Sequence, residues 1–233
     1  MANSPAKRHF QQVTAALAAA AAAGSNQTMA GLNAYELQLS QLLNDRARLK
    51  GIQSTETKIE LKRELLPAYD PYIAGVLSAG QGAQDEVVTT IMLWRLDIGD
   101  FSGGLDIAAY MFQYKLPMTD RFKRSSGCLV AEEIADAAIK TYKAGEEFDI
   151  DVLTRTAELT AEQDMPDQVR AKLHRALGLA ALHGLNDENL GRSGQVAAGI
   201  TDLKRAIELH ESCGAKKELE AAERLQKKLA DNG

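Results

Sequence analysis

At 233 residues the chain has room for one large domain or two small ones, on the scale of roughly 100–200 residues per domain. With 45% hydrophobic and 25% charged residues it has an ordinary soluble balance, and no stretch approaches the roughly 18 apolar residues of a membrane span. The net charge of -5 is uneven. Residues 1–66 carry eight Lys/Arg against five Asp/Glu, while 67–150 and 151–233 are both net acidic. Only the first third is basic, which permits nucleic-acid contact there without requiring it.

Alanine and leucine dominate and there are only five prolines, a composition that favours helix. Residues 1–33 read as a flexible leader. Lys7 and Arg8 precede an alanine run around Leu17 that offers little to pack and is too weakly apolar for the core of a signal peptide. Residues 34–66 read as a long amphipathic segment. Asn33 is a candidate N-cap, Tyr35, Leu39, Leu42, Leu43 and Leu49 form a stripe, and Gly51 is a weak joint. Thr57 and Glu60 suggest a capping box for the second half.

Residues 67–145 read as a central helical domain. Pro67 stops the long segment, and Asp70-Pro71 opens a short helix that Gly80 and Gly82 close. Residues 84–96 form an apolar helix containing Trp94, and 102–115 form the next, after Gly99-Asp100. An exposed loop with Arg121, Lys123 and Arg124 precedes a stripe of Val130, Ile134, Ala137 and Ala138. Residues 146–233 read as a helical-repeat-like region, with helices over 166–184, 194–211 and 215–230. The expected fold is therefore all-α. Long N-terminal helices are followed by antiparallel helix pairs, the last resembling a tetratricopeptide-like hairpin.

Chemistry-bearing motifs are scarce. Gly80-Gln81-Gly82 lacks the lysine and strand–loop–helix setting of a phosphate-binding loop. His9, His174, His183 and His210 form no metal-binding spacing, and Cys128 and Cys213 are isolated thiols suited to a reducing cytoplasm. Pro166-Asp167 followed by Arg170 and Lys172 superficially looks like a nuclease pattern, yet it reads better as a helix start. No catalytic residue, metal ligand or cofactor is assigned. The basic candidates are Lys7, Arg8, His9, Arg46, Arg48, Lys50, Lys58, Lys62 and Arg63. Arg46 and Lys50 are i, i+4 neighbours, as are Lys58 and Lys62, so they form a ridge that suits a phosphate backbone.

Several longer blocks resemble a known family. They are Arg63-Glu64-Leu65-Leu66-Pro67, Gly80-Gln81-Gly82-Ala83-Gln84-Asp85, and Met92-Leu93-Trp94-Arg95-Leu96-Asp97 with Gly99-Asp100. To these add Ser4 to His9, Ala157 to Thr160, and Asp164 to His174. Together they resemble the small terminase subunit of peduovirus-type, cohesive-end tailed phages, from the N-terminus to about Leu229. The resemblance implies a protein of the host cytoplasm that recognises the cohesive-end site on double-stranded phage DNA and delivers it to a large ATPase subunit. It also implies self-assembly into a homo-oligomeric ring and no membrane partner.

Members of that family are also called endonuclease subunits, so intrinsic cutting is the alternative, as is a purely protein-docking adaptor. Family members continue into a Lys/Arg-rich tail, whereas this sequence ends at Asp231-Asn232-Gly233. Contacts made by such a tail are expected to be supplied by other residues here or to be lacking.

Overall fold

The computed structural model describes residues 4–22, 33–119 and 124–231. It is all-α, 76% helix, with eleven α-helices and no strand among the described residues. The chain divides into two compact units, residues 1–126 and 127–233.

The first unit contains α1 (Pro5–Ala21), α2 (Asn33–Lys50), α3 (Thr55–Leu65), a 3₁₀ turn (Leu66–Ala68), α4 (Asp70–Ala79), α5 (Glu86–Asp97) and α6 (Phe101–Gln113). Helix α5 is apolar on all sides and lies at the centre, with Val87, Val88, Ile91, Met92, Trp94 and Leu96 all buried. Asp85 caps it, and Asp100 caps α6 by accepting from Gly103 N at 3.0 Å. Between the two, Gly99 takes a φ of 84° that an L side chain would resist.

The alanine run packs, contrary to the expectation of a leader with little to bury. Ser4 caps α1, Pro5 starts it, and Ala15, Ala18 and Ala19 are buried. Its main neighbour is α4. The reason is closeness of approach rather than side-chain bulk. A Cβ on Gly75 of α4 would fall 2.3 Å from the backbone oxygen of Gln12 and 2.8 Å from Ala15 Cβ. The glycine lets two backbones meet, and dispersion between small residues does the rest. The opposite side of α1 carries Phe10 and Leu17, both about two-thirds exposed.

Of the two forms that the Gly51 joint leaves open, one long helix or two consecutive ones, the segment 34–66 takes the second, with a bend at residues 51–54. Ser54 rather than Thr57 supplies the cap of α3, its Oγ accepting from Thr57 N. The buried face of α2 is also rotated from the expected stripe. Tyr35, Gln38, Leu42, Asp45 and Leu49 are inside, while Leu43 is 52% exposed. Asp45 is tolerated there because the Tyr69 hydroxyl donates to it at 2.8 Å and Arg48 pairs with it at 3.0 Å.

The second unit contains α7 (Ser126–Lys143), α8 (Ile150–Thr160), α9 (Asp167–Leu182), α10 (Ser193–Leu209) and α11 (Lys216–Asp231). Helices α9 and α10 form a tight antiparallel hairpin. A Cβ on Gly178 would lie 2.7 Å from Leu203 Cγ, and one on Gly199 would lie 2.7 Å from Leu182 Cγ. Helix α11 closes an apolar cluster of Val196, Ile200, Leu203, Ala206, Ala215 and Ala222. Arg175 ties α9 to this end, donating to Cys213 O at 2.8 Å and pairing with Glu218.

The close contact at Gly75 gives a stability test. Alanine is favoured over glycine inside a helix by about 1 kcal/mol. Overpacking costs about 1–3 kcal/mol, and here the obstruction is backbone, which yields poorly. Gly75→Ala should therefore destabilise the protein in urea unfolding, by up to about 2 kcal/mol. A gain in stability would show that α1 does not lie against α4 this closely.

Candidate nucleic-acid interface

The bend between α2 and α3 arises from Gly51, whose N–H still reaches Ala47 O, and from the Ser54 cap that restarts the helix. It folds the end of α2 back towards the start of α3. Beneath the bend lies α5. The three helices enclose an open groove of about 470 Å³. Leu43, Ala47, Leu49 and Trp94 form its apolar part, and four cations line it: Arg46 and Lys50 from α2, Lys58 and Lys62 from α3.

The i, i+4 spacing on each helix puts each pair on one face. The bend then turns the two faces towards a common space, which spacing alone does not reveal. Two of the cations are already paired. Arg46 Nη1 donates to Glu86 Oε1 at 2.8 Å, and Lys62 Nζ pairs with Asp97. Lys50 and Lys58 carry no ion pair among the described residues.

The other sequence candidates lie elsewhere. Arg48 pairs with Asp45, and Arg63 donates to Ile98 O at 3.3 Å, so neither lines the groove. Lys7, Arg8 and His9 are exposed in the first turns of α1 and also lie outside the groove lining. Cations at a helix N-terminus oppose the helix dipole, so packing within this chain gives them no structural reason to be there. Arg121 and Lys123 lie outside the described residues.

Sequence reasoning missed the Trp94 base of the groove and the two carboxylates that hold its cations, Glu86 and Asp97, which lie outside the lining. Trp94 reads as ordinary core, and Glu86 and Asp97 read as terminal charges of an isolated helix. Their partners stand 40 and 35 positions away, beyond any local spacing rule.

The remaining candidate chemistry is occupied by structural duties. His174 Nδ1 lies 2.9 Å from Asp202, and the His183 ring packs against Tyr142. Asp167 is the first residue of α9, where the dipole favours a carboxylate. Among the described residues, no three His, Cys, Asp or Glu side chains converge as metal ligands.

Residues 39–168 match the family model described as the phage small terminase subunit. The chain belongs to this family. It is 43% identical over 221 residues to "Terminase, endonuclease subunit" of Escherichia phage P2, covering 95% of this chain and 85% of that protein. It is 22% identical over 206 residues to "Probable terminase, endonuclease subunit" of Haemophilus phage HP1 (strain HP1c1), covering 86% and 73%. No solved structure matches it. The small terminase chain therefore serves the packaging of phage DNA. The family span contains the whole groove, whereas α1 with Lys7, Arg8 and His9 precedes it.

Two of the blocks that carry the family resemblance, residues 80–85 and 92–100, have structural roles in this small terminase chain. Gly80 closes α4 at a φ of 60°, and Gly82, at 68°, sits where a Cβ would strike the Tyr114 ring. Tyr110 accepts from Gly82 N at 2.9 Å. Arg95 joins Asp70 of α4 to Asp100 at the start of α6. Asp85 accepts from Val87 N, Val88 N and the Tyr72 hydroxyl at 2.7, 3.1 and 2.6 Å.

Burial pushes the Asp85 carboxyl up from 3.8 to about 6, against the lowering effect of those three donors. Its negative charge adds to burial in raising the hydroxyls of Tyr72 and of Tyr35, the latter to about 12.

A raised carboxyl favours folding most below its unfolded pKa, and the benefit is lost as pH rises through the folded value near 6. The Asp85→Asn substitution keeps a capping oxygen and removes the titrating group. Between pH 4 and pH 7 the natural protein should lose about 2–3 kcal/mol relative to that variant. Urea unfolding at both values measures this, and parallel pH profiles would show that Asp85 is not perturbed.

Proposed function

We propose that this small terminase chain recognises cohesive-end double-stranded phage DNA and delivers it to the large ATPase subunit. The observation that carries the reading is the convergence of Arg46, Lys50, Lys58 and Lys62 on one groove. Lysine and arginine on neighbouring helix faces are what a phosphate backbone requires. Lys7, Arg8 and His9 of α1, with Arg48 and Arg63 beside the bend, extend the contact beyond the groove.

One copy offers few phosphate contacts and binds weakly. A homo-oligomeric ring multiplies them, since tethered copies raise the effective concentration of the remaining sites. Exposed Phe10 and Leu17 on α1, and Leu37 on α2, supply apolar surface for such assembly. The protein acts in the host cytoplasm, with no membrane partner.

The names of the relatives contain the word endonuclease, so intrinsic cutting is the second reading. We place cutting outside this chain. The carboxylates nearest the groove are engaged in caps and ion pairs: Asp85 on the α5 backbone, Glu86 on Arg46, Asp97 on Lys62 and Asp100 on Arg95. A third reading, a helical adaptor that touches only protein, predicts no DNA binding at all.

Fluorescence anisotropy with a cohesive-end duplex across a salt series separates these. The slope of log affinity against log salt falls by about 0.9 for each phosphate contact removed. Replacing Lys7, Arg8, Arg46 and Lys50 with alanine should flatten the plot and leave the oligomer mass by light scattering unchanged. Replacing Arg121, Lys123 and Arg124 should do less. The duplex should stay intact in Mg²⁺. Loss of binding in the loop variant alone would put the site elsewhere, and cutting by the isolated chain would restore the nuclease reading.

A further inference from the structure

Helix α5 carries a carboxylate at each end, and both reach into the groove's cations. Glu86 is its first residue and Asp97 its last. At 1.5 Å per residue they stand about 16 Å apart along the axis. Glu86 meets Arg46 on α2, and Asp97 meets Lys62 on α3. Both pairs are reached by solvent, with side-chain exposures of 35% and 31% in the first and 15% and 38% in the second. An ion pair as exposed as Arg46–Glu86 is cheap to open, and the more enclosed Lys62 costs more to free. A carboxylate also offers a guanidinium or ammonium the same kind of acceptor as a phosphate.

We propose that Glu86 and Asp97 act as internal competitors for phosphate, holding Arg46 and Lys62 until DNA displaces them. The inference rests on the DNA reading of the groove and adds a restraint to it. Lys50 and Lys58 are the cations that DNA meets first, because no carboxylate among the described residues pairs with them. Arg46 and Lys62 join only after exchanging one anion for another. That exchange leaves a carboxylate which gathers its own counterion, so it yields little net counterion release. The bound chain therefore behaves as though it neutralised about two phosphates rather than four in the groove.

The two restraints are unequal. Glu86 lies at the N-terminus of α5, where the helix dipole stabilises it after Arg46 leaves. Asp97 lies at the C-terminus, where the dipole opposes it and an unpaired carboxylate is worse off. Arg46 is thus released more readily, and Lys62 is the tighter-held cation. Weak binding with a latent reserve suits a protein that must take up DNA and then pass it on.

The test uses the full chain, a cohesive-end duplex and the variants Glu86→Gln, Asp97→Asn and both together. Each keeps the side-chain shape. Glu146→Gln with Glu147→Gln, two exposed acids of the second unit, controls for net charge. The double groove variant should bind about two- to tenfold tighter at low salt. Its groove contribution to the salt slope should steepen from roughly -2 towards roughly -4 per copy. Asp97→Asn should give the larger share, and the control should change neither reading appreciably. Thermal unfolding checks that every variant is folded.

Lys50→Ala with Lys58→Ala separates the two ideas. If that variant binds as the natural chain does, the DNA reading of the groove is wrong and this proposal goes with it. If it loses binding while the Glu86 and Asp97 variants bind no tighter, the groove holds DNA and the competition is wrong. Weaker binding by those variants would also overturn the proposal, because the carboxylates would then be positioning the cations for DNA.

Discussion

The N-terminal unit is organised around a carboxylate buried at the start of its central helix. Asp85 is 2% exposed, and its oxygens accept from two α5 backbone amides and from Tyr72 of α4. Burying such a group is costly unless donors surround it. Here the donors come from two helices at once, so satisfying the charge also fixes where α5 begins relative to α4. The rest of α5 follows from that origin. Trp94 meets Tyr69 edge-on, with ring centroids 6.0 Å apart, Arg95 reaches Asp70 and Asp100, and the terminal carboxylates arrive at α2 and α3. The groove is a consequence of this placement, since its cations come from α2 and α3 while α5 supplies the base.

Both units rely on small residues to bring helices together. The Gly75 approach in the first unit and the Gly178–Gly199 approach in the second place backbone or short side chains where bulkier residues would clash. Dispersion between closely spaced atoms accumulates even when no large side chain is buried. This is why a run as plain as Ala15–Ala22 is an integral element, and why its apolar weight underestimates it.

The fold class was legible because 3.6-residue periodicity recurs in nearly every long segment. The α5–α6 and α9–α10–α11 helices fell within a few residues of where Gly, Pro and Asp placed them. Reading failed where polar residues occupy inward positions. In α2 the inward Gln38 and Asp45 were passed over for Leu39 and Leu43. In α8 the inward Thr156 and Thr160 hid the stripe, their hydroxyls satisfied by carbonyls four residues earlier. For the groove, the cation pairs were legible from spacing along each helix. The bend that joins them, the Trp94 base and the α5 carboxylates depend on contacts distant in sequence, which one-dimensional reading does not reach.

The central claim is that DNA lies in the α2–α3 groove, and lysine footprinting tests it directly. Acylation of the full chain is followed by mass spectrometry with and without cohesive-end duplex. Lys50 and Lys58 carry no ion pair among the described residues, so they should be reactive in the free protein and protected on binding. Lys216 and Lys217 of α11 should react equally in both states. Protection confined to the second unit, with Lys50 and Lys58 unchanged, would contradict the account.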